Sequence, residues 1–260
     1  MAERVGRRRL DQLLVERGLA SSRQQAQALL LAGQVLVNDQ PHSKAGSQVS
    51  LDAEIRLRGE RPRYVSRAGD KLAAILEHSG FSPAELVALD VGASTGGFTD
   101  CLLQMGARHV YAVDVGYGQL AWSIRQNPRV TCIERQNARH LTAEILQRAV
   151  DPPAPWPLEL ATIDVSFISL KLVLPTIGEV LGGDRPLIAL IKPQFEAGRE
   201  AIGKRGVVKG TARQAVIDSL IHWMRQAGYQ IEASIDSPVA GPQGNIEHLV
   251  LARTPASAQS

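Results

Sequence analysis

Leu89–Leu103 reads LDVGASTGGFTDCLL, and the reading of the larger part of the chain starts there. The apolar run Leu86-Val87-Ala88-Leu89 ends in Asp90, a glycine-rich turn follows, and Phe98 opens an amphipathic segment. Strand, tight loop and helix N-terminus in that order form the ligand-receiving corner of doubly wound α/β domains. Gly92, Gly96 and Gly97 lack Cβ atoms, so the backbone there can turn left-handed and approach a ligand closely. A second apolar run, His109 to Val113, ends in Asp114, about two dozen residues after Asp90. A carboxylate at that spacing accepts hydrogen bonds from both hydroxyls of a bound ribose.

The same loop admits another reading. Gly92-Ala93-Ser94-Thr95-Gly96 satisfies G-x-S-x-G, the nucleophile elbow of serine hydrolases, and Asp164 and His248 follow in the order of that triad. The elbow normally follows an upstream loop that supplies half an oxyanion hole, and no strand-rich sequence of the same domain precedes Gly92. Ser94 is more simply a loop residue facing a cofactor.

The chain has 260 residues, enough for a full α/β core and a small appendage, with 44% hydrophobic and 4% aromatic residues. No apolar run approaches bilayer length and the N-terminus is arginine-rich, so neither a membrane span nor a signal peptide is expected and a cytoplasmic protein is. Cys101 and Cys132 form no CxxC pair and read as two buried thiols; the six His show no ligand spacing, so no metal is expected. Net charge is +3, unevenly placed: residues 1–71 carry 13 Lys and Arg against 8 Asp and Glu. That basic N-terminal part suits a polyanionic partner.

Residues from about 9 to 58 read as a compact module. Arg9–Val15 has helical spacing and stops at Gly18; Ser22 caps a second helix, with Gln25 placed for a capping box and Ala26, Leu29 and Leu30 as its buried stripe. Gly33 ends that helix, Val35-Leu36-Val37 is a strand turning at Asn38-Asp39, and Val49–Leu57 supplies more strand. Arg7, Arg8, Arg9, Arg23 and Lys44 are candidate phosphate contacts, each also consistent with a solvated surface charge. Arg9-Leu-Asp-x-x-Leu, Gly18, Ser22-Arg23-x-x-Ala26, Leu30, Gly33, Val35 and Val37-Asn38 resemble the S4 RNA-binding fold. That resemblance turns a polyanion into structured RNA.

The expected organisation is an S4-like domain over 1–58, a polar linker over 59–67 marked by Gly59 and Pro62, and a second domain over 68–260. In that domain a helix Ala68–His78 precedes the glycine-loop strand. Strands follow at Val110–Val113, Val130–Ile133, Leu160–Ile163, Leu187–Ile191, Tyr229–Ile235 and His248–Ala252, with helices Ser169–Leu181 and Ala212–Ala227. The last strand is expected to close an antiparallel edge. Alternating β and α predicts an α/β fold, a mostly parallel Rossmann-like sheet with helices on both faces, after a small α+β domain.

Polar residues gather where open α/β sheets bind ligands, at strand C-termini. Asp164 follows Leu160–Ile163, Lys192 follows Leu187–Ile191, Glu247 precedes the last strand, and Lys71 lies on the helix before the first. The plain reading of Lys192 and Asp164 is a structural ion pair. The chemical reading is a Lys-Asp-Lys-Glu tetrad that activates a hydroxyl. Free lysine, with a pKa of about 10.4, is protonated at neutral pH, and burial or a neighbouring cation lowers that value. Transfer from a sulfonium releases a neutral thioether, so catalysis reduces to in-line alignment and proton removal, without His, Cys or metal.

Tyr64-Val-Ser-Arg67…Lys71-Leu72, the Leu89–Leu103 stretch, Tyr111-Ala-Val-Asp-Val-Gly-Tyr-Gly118, the Asp164 segment and Ile191-Lys-Pro-Gln-Phe-Glu196 resemble the haemolysin TlyA family. These are S-adenosylmethionine-dependent rRNA 2′-O-methyltransferases whose catalytic domain is FtsJ-like, of the class I methyltransferase fold. The resemblance places the tetrad on Lys71, Asp164, Lys192 and Glu247. It places S-adenosylmethionine against Asp90, Gly92, Ala93, Ser94, Gly96, Gly97, Phe98, Asp114, Asn137 and Phe167. Phe167 serves equally as core. Arg67 and the basic loop Gly198 to Arg213, which carries Arg199, Lys204, Arg205, Lys209 and Arg213 with few acids, would meet the RNA backbone. The implied substrate is a cytidine ribose of rRNA in 30S or 50S subunits or both, with no membrane and no obligate protein partner. A non-catalytic assembly factor and a membrane-lytic haemolysin are the competing classes. The intact tetrad argues against the first, and the lack of a basic amphipathic helix argues against the second.

Overall fold

A computed structural model describes residues 6–58, 63–149, 154–198, 207–208, 210–241 and 244–256. The chain divides into two compact units, Met1–Pro62 and Arg63–Ser260. Among the described residues no helix is long and apolar enough to cross a membrane.

The first unit runs β1 (Arg7–Arg9), α1 (Leu10–Glu16), α2 (Arg23–Leu31), β2 (Val35–Val37), β3 (Gln40–His42), β4 (Gln48–Ser50) and β5 (Ile55–Leu57). Strands β3, β2 and β5 form one antiparallel sheet, and β1 pairs with β4 in another. Leu10, Leu13, Leu14, Ala26, Leu30, Val35 and Val37 bury the helical stripes against the sheet. Ser22 accepts the Gln25 N–H at 3.2 Å, whereas Gln25 Oε1 takes the N–H and hydroxyl of Ser21, so the box closes one residue early. Asn38 and Asp39 both have positive φ, 49° and 63°, the backbone of the tight hairpin turn that suits strand twist.

The second unit runs α3 (Ala68–Ser79), β6 (Val87–Val91), α4 (Gly97–Gln104), β7 (His109–Val113), α5 (Trp122–Arg125), β8 (Val130–Ile133), α6 (Ala143–Arg148) and β9 (Leu160–Ile163). It continues with α7 (Leu174–Leu181), β10 (Pro186–Ile191), α8 (Pro193–Glu196), α9 (Gly210–Gln226), β11 (Gln230–Asp236) and β12 (His248–Arg253). Its seven strands stand in the order β11-β12-β10-β9-β6-β7-β8. Strands β6 to β10 run parallel to one another, and β12 is antiparallel to both β10 and β11. Side chains alternate across the sheet as a two-residue repeat requires. Leu187, Ala189 and Ile191 join α7 and α9 on one face, while Ile188 and Leu190 join α3 and α4 on the other.

Three expectations are corrected. The last strand is not at the edge: β12 enters between β10 and β11, and β11 takes the edge. The helix expected over Ser169–Leu181 is a short 3-10 turn, Leu170–Leu172, followed by α7 with Pro175 in its first turn. Proline fixes φ and lacks the N–H that a continuous helix would need there, so the helix restarts around it. Residues 63–67 are packed rather than linking: Tyr64 is buried against α3, and the Val65 N–H donates to Asp100 at 2.8 Å.

Candidate active site

The tetrad is assembled by strand register. The β10–β12 ladder ends with Ile191 opposite His248, so Lys192 and Glu247 stand at the next rung, at one edge of the sheet. Beside β10, strand β9 ends at Ile163 and delivers Asp164 to the same edge. Lys71 reaches over from α3, which packs on β11 and β12. The four side chains form two pairs. Lys71 Nζ donates to Glu247 Oε2 at 2.5 Å, with both residues buried. Lys192 Nζ lies 2.6 Å from Asp164 Oδ1, off the hydrogen-bonding axis, and donates to Ser166 Oγ at 2.8 Å.

Glu247 is held by its loop. Gly241 leaves room for the carboxylate, since a Cβ there would strike Glu247 Oε1. That oxygen is buried with no hydrogen-bond partner among the described residues. From α9, Arg213 Nε donates to the Ile246 carbonyl at 2.8 Å and its guanidinium pairs with Asp236. Arg213 therefore serves the Glu247 loop and is not the solvated RNA contact expected of it. Arg199, Lys204, Arg205 and Lys209 lie outside the described residues. A cleft of about 190 Å³, lined by Ser66, Arg67, Ala68, Lys71, Val239 and Ala240, opens onto Lys71 with the exposed Arg67 at its wall. A larger cavity of about 350 Å³, between Glu196 and α9, contains none of the four.

On the other side of the edge, Asp114 is fixed by two N–H donors, Ser94 at 2.8 Å and Gly116 at 2.6 Å. Its remaining lone pairs, with the exposed Ser94, Thr95, Val115 and Tyr117 around it, suit a ribose and a flat apolar base. Asn137 is exposed near the end of β8, its side chain accepting the Arg139 N–H at 3.0 Å. Ser94 has φ of 49°, and its hydroxyl meets Gln119 rather than a histidine. His248 pairs with Asp236 and Asp164 with Lys192, so no serine triad forms among the described residues.

The loop glycines act differently from expectation. Gly92 and Gly96 are left-handed, with φ of 82° and 96°, but what crowds them is protein. A Cβ on Gly92 would come within 2.5 Å of the Asp164 carbonyl oxygen, and one on Gly96 within 2.9 Å of Leu120. Gly97 lets α4 close on α3 at Ser66 and Ala68. The side chains of Ala93 and Phe98 are buried in the core, so any part they take in holding a cofactor falls to the backbone of the loop. Phe167 is 90% exposed, with φ of 63° and its ring 4.8 Å from that of Phe195, which excludes the core alternative for it.

Asp90 is fully buried beneath the loop. Thr99 donates to it at 2.6 Å and Thr162 at 3.0 Å, tying the start of α4 to β9. Burial pushes its carboxyl up to about 7, because the lost hydration of the charged form outweighs the hydrogen bonds from Thr99 and Thr162. The raised value means that this group's contribution to stability is complete below its ordinary range near 4 and declines as pH rises through 7. We expect Asp90→Asn to flatten the fall of the melting temperature between pH 5 and 8. Parallel wild-type and variant curves over that range would refute the assignment. The carboxylates held low, Asp11 and Glu134 among them, act at lower pH and do not obscure the comparison.

Burial likewise raises the Cys101 thiol, to about 12, and the Cys132 thiol, as expected of structural cysteines. In the first unit the fully buried Asp11 binds Arg9 at 2.9 Å and Arg23 at 3.1 Å, and those guanidiniums hold its carboxyl well below the usual range. Arg9 and Arg23 remain half-exposed, Arg8 pairs with Glu16 at 2.7 Å, and Arg7 and Lys44 are exposed. Sequence reasoning did not find Asp11, Ser166, Thr99 or Thr162, and gave Arg213 a different role. Only Ser166 had a local signal, two residues after Asp164 and beside it in the strand continuation.

Residues 64–254 match the FtsJ-like methyltransferase family and residues 8–55 the S4 domain. The chain is 44% identical to the candidate rRNA methyltransferase YqxC of Bacillus subtilis, over 96% of this chain and 87% of that one. It is 42% identical to the 16S/23S rRNA (cytidine-2′-O)-methyltransferase TlyA of Mycobacterium tuberculosis, over 95% and 90%. A solved structure of a candidate hemolysin from Streptococcus thermophilus is similar, with 38% identity, a TM-score of 0.73 and coverage of 96% and 90%.

Proposed function

The chain belongs to the TlyA family of FtsJ-like methyltransferases with an S4 domain, and we propose that it methylates a ribose 2′-hydroxyl of ribosomal RNA, using S-adenosylmethionine. The observation that carries this reading is the meeting of Lys71–Glu247 and Lys192–Asp164 at the edge of the sheet that also presents Asp114. When bound, S-adenosylmethionine supplies a methyl group on a sulfonium that departs as a neutral thioether. Asp114 holds the ribose of that cofactor, and Val115 and Asn137 border its base. Lys192 Nζ, once it has released a proton to solvent, receives the proton of the target 2′-hydroxyl, while Asp164 and Ser166 fix where Nζ stands. Lys71 and Glu247 present a rigid, buried polar wall behind the reacting oxygen, so little reorganisation accompanies reaction.

The first unit captures the RNA. Asp11 orients the Arg9 and Arg23 forks toward phosphate, and Arg7, Arg8 and Lys44 add charge beside them. Arg67 at the cleft serves the strand that enters the site. Phe167, displayed rather than buried, offers a face on which an unstacked base rests, as single-stranded RNA is commonly held. We assign the target as a cytidine, in the RNA of the 30S subunit, the 50S subunit or both. The test is transfer of labelled methyl from S-adenosylmethionine to purified 30S and 50S subunits, with the modified nucleoside identified by mass spectrometry. A 2′-O-methylcytidine is the expected product. Cofactor binding without transfer to either subunit or to free rRNA would favour a non-catalytic assembly role.

A further inference from the structure

The segments that carry Asp164 and Lys192 leave neighbouring parallel strands and are laced together beyond them. The first tie is Lys192 to Asp164 and Ser166, at 2.6 and 2.8 Å. The second is the contact of Phe195 with Phe167, at 4.8 Å between ring centres. The third is Glu196, which uses both carboxylate oxygens on the far end of the Asp164 segment. Its Oε2 accepts the Ser169 hydroxyl at 2.6 Å and its Oε1 accepts the Leu170 N–H at 2.7 Å.

That third tie has work to do. Phe167 holds a left-handed backbone, φ of 63°, with a bulky side chain that is almost wholly exposed. Such a conformation is disfavoured and persists only where its surroundings over-determine it. The ring contact with Phe195 is too little to supply that restraint for a side chain 90% exposed, so most of it comes from the two ends of the segment. Lys192 fixes one end. Glu196 fixes the other by satisfying the first donor of the 3-10 turn Leu170–Leu172, which has no partner within that turn.

We propose that Glu196 is a positioning residue: through Ser169 and Leu170 it holds the Asp164–Ile168 segment in its working conformation, and it touches no substrate itself. The proposal deepens the methyltransferase reading and its kinetic part rests on it. Glu196→Ala removes both acceptors. Glu196→Gln keeps one acceptor for the Leu170 N–H and can donate to the Ser169 hydroxyl, so it rescues. Ser169→Ala removes one bond of the two.

Two measurements decide. Hydrogen exchange over residues 165–172 should speed up about tenfold or more in Glu196→Ala and return towards wild type in Glu196→Gln. With rRNA as substrate, kcat should fall by about 10²-fold in Glu196→Ala, less in Ser169→Ala and least in Glu196→Gln, because a displacement near 1 Å costs on that order. Affinity for S-adenosylmethionine should stay within about twofold, since Asp114 and its donors lie elsewhere. Unchanged exchange in Glu196→Ala overturns the proposal, as does a parallel loss of kcat and cofactor affinity, which would mark a general structural role. Should Glu196→Ala not fold, unchanged exchange and kcat in Ser169→Ala overturn it equally. A wild-type protein that transfers no methyl refutes the methyltransferase reading instead, and exchange then still decides whether Glu196 holds the segment.

Discussion

Lys192→Met should lower methyl transfer to rRNA by about 10³-fold or more, with S-adenosylmethionine affinity within about threefold of wild type. The side chain lies at the end of β10, with Asp164 at 2.6 Å and Ser166 at 2.8 Å, and Asp114, the proposed holder of the cofactor's ribose, follows a different strand. Methionine matches lysine in length and fills the same space without a basic nitrogen, so packing of the strand end is largely kept. The informative companion is Lys192→Arg. Arginine keeps the charge beside Asp164 and can hydrogen-bond to the target oxygen, but it does not give up its proton at any working pH and so cannot take one. If Lys192 acts by receiving the proton, Arg is as inactive as Met. If Lys192 acts only as a fixed cation, Arg restores a large share of the rate and the proton-accepting role is wrong. Equilibrium binding of the cofactor, measured calorimetrically on all three proteins, separates either result from a damaged fold.

How far these sites could be read in advance depended on whether the signal was local. Lys192, Asp164 and Asp114 were legible because each follows a run of buried strand residues, and ligands gather at such ends. The position of β12 was legible too, in a pattern that was passed over. Leu249–Ala252 is a continuous apolar run, as a strand covered on both faces requires, whereas β11 alternates exposed and half-buried residues along Gln230–Asp236, as an edge strand does. The roles of Asp90, Phe98 and the loop glycines were not legible. A motif states which residue types occur in a loop, but whether Gly92 clears a path for a ligand or for the Asp164 carbonyl depends on a strand more than 70 residues away. Arg213 and Asp11 share this limit. Arg213 looked like solvated charge in sequence, and its partner Asp236 is set by the packing of α9 on β11, while Asp11 meets Arg23 only where α1 packs on α2.

The pair Lys71–Glu247 should show the largest effect on stability, and its double variant separates structure from catalysis. Both side chains are buried, 2.5 Å apart, and joined across 176 positions of sequence. Removing Lys71 strands the almost wholly buried Glu247 carboxylate, and removing Glu247 leaves the Lys71 ammonium at the floor of its cleft without a counter-charge; breaking a buried pair costs about 3–5 kcal/mol. For a unit of this size that corresponds to a fall of about 10 °C in melting temperature. Lys71→Met and Glu247→Met should each show it. The double variant should recover most of the loss, because with both charges gone only two adaptable apolar chains remain, and such replacements are often neutral. Methyl transfer should be lost in both single variants and stay lost in the double. A double variant that regains activity along with stability would make Lys71–Glu247 a strut, leaving Lys192 and Asp164 to carry the reaction alone. A double variant as unstable as the singles would instead show that the pair is not coupled as its geometry requires. Stability restored without activity is the outcome that a catalytic pair demands, since a wall of fixed charge behind the reacting oxygen has no apolar substitute.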